Sequence, residues 1–329
     1  MRYVLVFQQT LGLIGRQFQV RPLPSAHMGR KRHIAALALV TLTACCAGCA
    51  QANAQESPQA RKIAASSAAR AVTLKQVKAK AKAVKPAPAE SAQQLLSAAV
   101  GPLVAADDGH ASVAVDDLST GQAASYGGAD EYDTASIVKV DILSTLLYQA
   151  QQQGGQLSAT EQELATTMIE NSDNDAASDL YYDAGASSGI DAANQEFGLT
   201  ETTVGTDGYW GLTTTTVDDQ VRLLRLVFTT PSELSSQSQQ YIQDLMANVE
   251  SDQQWGVPAA ADSGTTFEVK NGWLPNPTLW EINSIGQVTH GGQRMLIAVL
   301  SSDNETEDGG ISLVQDVAVK AADAMARAR

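Results

Sequence analysis

Three short motifs carry side chains whose types and spacing suit acyl-transfer chemistry. Ser136-Ile137-Val138-Lys139 opens a run with helical apolar spacing. On a helix, residues three apart share a face, which makes the hydroxyl of Ser136 and the amine of Lys139 neighbours. A serine attacks a carbonyl well only when a base takes its proton. A lysine drawn out of water loses proton affinity and can be that base. The start of a helix also favours an oxyanion forming there. Alone, the same pattern fits a capped helix with a snorkelling lysine. Ser172-Asp173-Asn174 falls between two predicted helices. Its residue types are the preferred helix caps, a sufficient reason for their presence. In a site, Ser172 would shuttle a proton to the leaving group and Asn174 would donate a hydrogen bond to substrate. Lys270-Asn271-Gly272 ends a predicted strand. Lys270 would supply positive charge to a cleft, and Gly272 would let substrate approach the backbone. Asn-Gly is equally a common turn pair.

The elements that must position these groups can be read from periodicity. Residues 92–104 have helical spacing, with Leu95, Leu96, Val100 and Leu103 on one side. Residues 111–117 read as a strand, 119–122 as a turn and 123–126 as a return strand. The helix from Ser136 to Gln153 is apolar nearly all round, which places it at the centre of the molecule. Ser158-Ala159-Thr160-Glu161 is a capping box opening a helix to about Asn171. Further helices are expected at 174–184, 188–197, 216–229 and 236–249, then strands at 266–270, 280–288 and 294–301, and a closing helix at 311–327. Strands at both ends with helices between them predict an α+β fold. It is sandwich-like, α/β/α, with one antiparallel sheet built from both chain ends and a helical lobe inserted.

Composition narrows the function. The chain has 329 residues, 44% of them apolar, enough for a packed core. Residues 1–92 hold 14 basic and 2 acidic residues, while residues 93–329 hold 8 basic and 34 acidic. An acidic domain of this kind repels phosphates, so nucleic acid is excluded as a partner. All three cysteines (Cys45, Cys46, Cys49) precede residue 50, and only His110 and His290 lie in the domain. Neither a disulfide framework nor a cysteine or multi-histidine metal site is expected there. No Gly-rich phosphate loop or internal repeat is present, no cofactor is called for, and a monomer is expected.

The first fifty residues read as an address. Gly29-Arg30-Lys31-Arg32-His33 is basic, Ile34 to Ala44 is apolar, and Leu42-Thr43-Ala44-Cys45 has the form of a bacterial lipobox. Export follows, with lipidation of Cys45 at the outer face of the membrane, or cleavage after Ala52-Asn53-Ala54 and release. Residues 1–27 read as an over-long start ahead of the segment. Residues 51–91 are a basic Ala/Lys/Pro linker, expected to be disordered, which an anionic membrane or wall polymer would attract or which serves as a plain spacer.

Together, in this order and these contexts, the three motifs resemble those of the penicillin-recognising serine hydrolases, and most closely the class A β-lactamase family. The resemblance covers 92–329, including the order strand, helical lobe, strand. It implies that Ser136 is the acylated nucleophile, Lys139 its activating partner and Ser172 the proton relay. It implies that Asn174 holds the substrate amide and Lys139, that Lys270 and Asn271 face the substrate carboxylate, and that the backbone N–H groups of Ser136 and Trp273 form the oxyanion hole.

The departures are equally specific. The third motif has Asn271 where the family has Thr. No W-E-P-x-L-N-like run occurs between Gly198 and Gly211, so the glutamate that the resemblance assigns to the deacylating water is missing. Glu201 and Asp207 lie in that stretch and read as solvated acids. Trp280 and Glu281 stand where the family often clamps the carboxylate with arginine. The leading expectation is an exported serine hydrolase that opens β-lactams or related acyl amides through an acyl-Ser136 and hydrolyses that intermediate slowly. A D,D-carboxypeptidase or transpeptidase acting on wall peptides, and a silent wall-binding lipoprotein, are the alternatives.

Overall fold

The computed structural model describes residues 90–107 and 110–328. The expected export segment with Cys45, and all but the last two residues of the linker, lie outside the described residues. Ser91 caps the first described helix, α1 (Ala92–Val104), through a capping box with Gln94. Strands β1 (His110–Asp117) and β2 (Gln122–Tyr126) follow as a hairpin. Near the other chain end, β5 (Glu268–Asn276), β6 (Leu279–His290) and β7 (Gln293–Asn304) form a meander, and α8 (Glu307–Arg327) closes the chain. The five strands make one antiparallel sheet in the order β2-β1-β7-β6-β5, with β7 paired to β1 from His110↔Ser302 to Asp117↔Met295. Both ends of the described region thus build the sheet, as the sequence predicts.

Side-chain alternation divides the core between two layers. On β7, Met295, Ile297 and Val299 join the core under α1 and α8, while Leu296, Ala298 and Leu300 join the core of the helical lobe. Successive side chains on a strand point to opposite faces, so a sheet covered on both sides reads as a continuous apolar run. Each such Leu, Ile or Val contributes about 1.5–3 kcal/mol by burial.

The lobe contains α2 (Val138–Gln152), α3 (Ala159–Glu170), α4 (Asn174–Asp183), α5 (Ala186–Phe197), α6 (Val217–Phe228) and α7 (Ser236–Ala247). Every residue of α2 from Val138 to Leu147 is buried, as the all-round apolar pattern requires.

Three local differences from the sequence expectations have clear causes. Strand β5 runs on past Lys270 to Asn276, so Asn271-Gly272 is mid-strand rather than a turn: pairing with β6 continues through Asn271↔Ser284 and Gly272↔Asn283. Helix α8 begins at Glu307, because Thr306 caps it by accepting from Gly309 N at 3.0 Å. Gly310 permits close packing: a Cβ there would lie 2.5 Å from Ile282 Cγ1. Finally, β3 (Tyr132–Asp133) and β4 (Thr214–Thr215) form a second, two-stranded sheet too short to leave a period in the sequence. Among the described residues no helix is long and apolar enough to cross a membrane.

Candidate active site

The segment that presents Ser136 is a tight 3-10 turn, Ala135–Ile137, leading straight into α2. Ala135 has φ 47°, a left-handed conformation that an L residue adopts only when its surroundings hold it there. Those surroundings are visible. Asn283 Nδ2 on β6 donates to the carbonyls of Asp133 (2.9 Å) and Thr134 (3.1 Å), and Thr134 N donates to Thr213 O (2.8 Å). Strand β5 lies directly against the turn. A Cβ on Gly272 would sit 2.7 Å from Thr134 O and 2.8 Å from Ser136 N. Only glycine allows that approach, which brings the backbone N–H of Ser136 and strand β5 side by side.

One helical turn on, Lys139 is completely buried. Its Nζ donates to Ser172 O (2.7 Å), Ser172 Oγ (3.1 Å) and Asn174 Oδ1 (2.8 Å). Burial pushes its pKa from 10.5 down to about 7, opposed by the negative charge of Asp173. Lys270, also completely buried, reaches the same hydroxyl from the sheet: its Nζ donates to Ser172 Oγ at 3.0 Å and to Asn271 O at 3.1 Å. Burial, and then the charge of Lys139, hold Lys270 well below its ordinary value. The Ser172 hydroxyl therefore bridges two desolvated amines. A hydroxyl has one proton to give and two lone pairs to accept with, so it can pass a proton between them.

Ser172 gets its reach from an unusual backbone. Its φ of 56° turns both its carbonyl and its hydroxyl toward Lys139. The cap of α4 falls to the next residue: Asp173 Oδ1 accepts from Ala176 N at 2.7 Å. The preference of this triplet for capping and its place at the site are thus divided among its members, with Asp173 capping and its neighbours holding Lys139.

Sequence reasoning named Ser136, Lys139, Ser172, Asn174, Lys270 and Gly272, and the structure gathers these around one point where α2, α4 and β5 meet. Asn271 is placed differently, and of Trp273 the side chain lies outside the cluster. Asn271, expected to face a substrate carboxylate, is completely buried, and its Nδ2 donates to the carbonyls of Gln253 (2.7 Å) and Trp255 (3.0 Å). Alternation along β5 turns its side chain away from that of Lys270, and the backbone carbonyls behind the strand take up its amide. The Trp273 indole packs edge-on against Trp255, ring centroids 6.0 Å apart, beside the core under α8. Only its backbone is left for an oxyanion. Glu281 is buried, its carboxyl raised to about 7 by burial.

The stretch between α5 and α6 supplies residues the motifs did not reveal. Trp210 lies over Lys139, its ring centroid 5.0 Å from Nζ, and its Nε1–H donates to Ser178 Oγ at 3.2 Å. A tryptophan among Gly and Thr was the available signal. Glu201 and Asp207 are exposed. Glu201 accepts from Thr216 Oγ1 (3.2 Å) and Asp207 from Thr206 Oγ1 (3.4 Å), and neither bonds a motif residue. Among the described residues no cluster of His, Cys, Asp or Glu is placed to hold a metal ion.

The model of the beta-lactamase enzyme family matches residues 93–162 and 156–325. Among curated proteins, no sequence matches significantly. Similar solved structures include a class A beta-lactamase of Bacteroides cellulosilyticus, 15% identical, covering 72% of this chain and 99% of that one with a TM-score of 0.63. A beta-lactamase of Chitinophaga pinensis is 16% identical and covers 70% of this chain and 98% of that one, TM-score 0.62. A mutant of PBP-A, solved as its acyl-enzyme complex with penicillin G, is 20% identical and covers 70% of this chain and 96% of that one, TM-score 0.61. The fold is therefore that of the β-lactamases and their penicillin-binding relatives, and the family match across most of the chain shows that it belongs to the beta-lactamase enzyme family.

Proposed function

We propose that the protein is a serine hydrolase that opens β-lactams or related acyl amides through an acyl-Ser136 intermediate and releases the product slowly. The observation that carries this reading is the Ser172 hydroxyl shared by two buried amines, Lys139 at 3.1 Å and Lys270 at 3.0 Å, with Lys139 three residues along the chain from Ser136.

The steps follow from the groups present. Lys139, neutral in about half of the molecules near pH 7 because its pKa is about 7, takes the proton of Ser136. Oγ attacks the carbonyl carbon. The oxyanion develops against the backbone N–H groups of Ser136 and Trp273. The C–N bond breaks as Ser172 gives its proton to the leaving nitrogen and recovers one from the lysine pair. Asn174, its Oδ1 occupied by Lys139, has its amide protons to offer the substrate amide. Recognition of a substrate carboxylate falls to Lys270, since Asn271 is committed behind the strand. Hydrolysis of the acyl-serine is slow because neither loop carboxylate, Glu201 nor Asp207, engages the motif residues.

The test is intact-mass spectrometry after exposure to penicillin, followed over time. Wild type should gain the mass of the opened lactam and lose it over minutes or longer, and Ser136→Ala should gain nothing. Equal labelling of both proteins would refute the assignment. Fast nitrocefin turnover would refute slow release. Turnover of D-Ala-D-Ala peptides without lactam hydrolysis would favour a wall-peptide enzyme. We extend the proposal to export with lipidation at Cys45, which the mass of the mature N-terminus tests.

A further inference from the structure

We propose that Trp210 is a positioning residue that sets the lifetime of the acyl-enzyme, by covering the loop-side face of Lys139 and keeping hydrolytic water away from the amine. This rests on acylation of Ser136 and adds to it the group that governs release.

Trp210 is held from several directions. It opens a 3-10 turn, Trp210–Leu212, whose carbonyl at Trp210 accepts from Thr213 N (3.1 Å) and Thr213 Oγ1 (2.7 Å). Thr213 Oγ1 in turn accepts from Gly205 N (3.0 Å), and Thr213 O accepts from Thr134 N, two residues before Ser136. The buried Tyr181 anchors the loop from below, its hydroxyl donating to Gly205 O at 2.8 Å. The indole is thus fixed to the nucleophile's own turn, to α4 through Ser178, and to the face of Lys139 at 5.0 Å. The three groups that bond Lys139 Nζ all come from Ser172 and Asn174, so the indole fills a side of the amine that none of them occupies.

Release of the acyl group needs a water at that amine. The water oxygen attacks the acyl carbon while its proton passes to neutral Lys139. The C–Oγ bond then breaks, Ser136 Oγ takes the proton back, and the free acid leaves. With Glu201 and Asp207 engaged elsewhere in the loop, Lys139 is the base within reach, and an aromatic plate stands where the water must stand. The outer surface of this loop is apolar as well: Tyr209 and Leu212 are 53% and 48% exposed, and Tyr182 beneath it is 60% exposed.

The experiment uses the full chain, acylated with benzylpenicillin, freed of excess drug and followed by intact mass. Trp210→Ala should lose the adduct at least about tenfold faster than wild type, within the range of a general base gaining access to its water. Trp210→Phe, which keeps an aromatic ring over Lys139 but gives up the Nε1–H bond to Ser178, should decay at a rate between those of wild type and Trp210→Ala. Ser178→Ala, which removes the hydrogen bond that holds the indole together with the one Ser178 Oγ donates to Asn174 O (2.9 Å) within α4, should shorten the lifetime in the same direction and serves where Trp210→Ala does not fold. A folded Trp210→Ala that loses the adduct no faster than wild type overturns the proposal, as does Trp210→Phe decaying as fast as Trp210→Ala. Absence of an adduct on wild type overturns acylation of Ser136 instead.

Discussion

Replacing Lys139 by arginine separates its charge from its basicity. The buried amine has a pKa of about 7 instead of 10.5. At pH 7 about half of such amines are neutral, against about one in 3,000 for a lysine in water. An arginine in the same place keeps a positive charge and hydrogen-bond donors, yet stays protonated, since its pKa exceeds about 12. Loss of a general base costs about 10²–10⁴ in rate, so acylation of Lys139→Arg at pH 7 should fall by about a thousandfold. The wild-type acylation rate should rise about tenfold per pH unit below 7 and level off above it, while the arginine variant should show no such limb. Quenched-flow mixing with penicillin, read by intact mass from pH 5 to 9, measures both. A wild-type rate that is level from pH 5 upward, or an arginine variant within about tenfold of wild type, would refute the assignment of Lys139 as the base. Stability gives an independent check. The folded state binds this proton less readily than the unfolded chain between about pH 7 and 10.5, so the cost of burying Lys139 is complete below about 7 and relieved as pH rises toward 10.5. That cost is at most about 5 kcal/mol, and Lys139→Met should recover part of it in urea melts below pH 7, the gain shrinking toward pH 10.

Other perturbations test the surrounding framework. Gly272→Ala would drive a Cβ to 2.7 Å from Thr134 O and 2.8 Å from Ser136 N, both backbone atoms, so β5 must back away from the nucleophile's turn. Acylation should fall about a hundredfold, with a stability loss of about 1–3 kcal/mol by denaturant titration. Asp219 is buried and accepts from Glu201 N (2.8 Å) and Thr202 Oγ1 (2.9 Å) while pairing with Arg222. Its replacement by alanine should cost about 2–4 kcal/mol and open the 198–211 loop to limited proteolysis. Asp141, wholly buried on α2 and bonded to Asn194 Nδ2 at 2.9 Å, has its carboxyl raised by burial from 3.8 to about 7. Its folded pKa lies above the unfolded one, so its stability contribution is intact below about pH 4 and lost as pH rises through 7. Asp141→Asn should therefore raise the thermal midpoint at pH 8 and leave it unchanged near pH 4.

The elements and the chemistry-bearing residues were legible along the chain. Apolar periodicity placed α2 at the centre, and it is buried from Val138 to Leu147. Covered strands placed both chain ends in one sheet, and residue type with spacing singled out Ser136, Lys139, Ser172, Asn174, Lys270 and Gly272. These are local properties: a helix repeats every 3.6 residues and a strand every two, and both leave a mark along the chain. What the tertiary structure decided is which of those groups share an atom. The Ser172 hydroxyl meets Lys139 and Lys270 across 33 and 98 residues of chain, Asn271 turns behind its strand to Gln253 and Trp255, and Trp210 covers Lys139. No local period encodes such meetings. They are set by how β5, α4 and the loop after α5 close on one another, and the proton affinity of the two lysines follows from the water that closure removes.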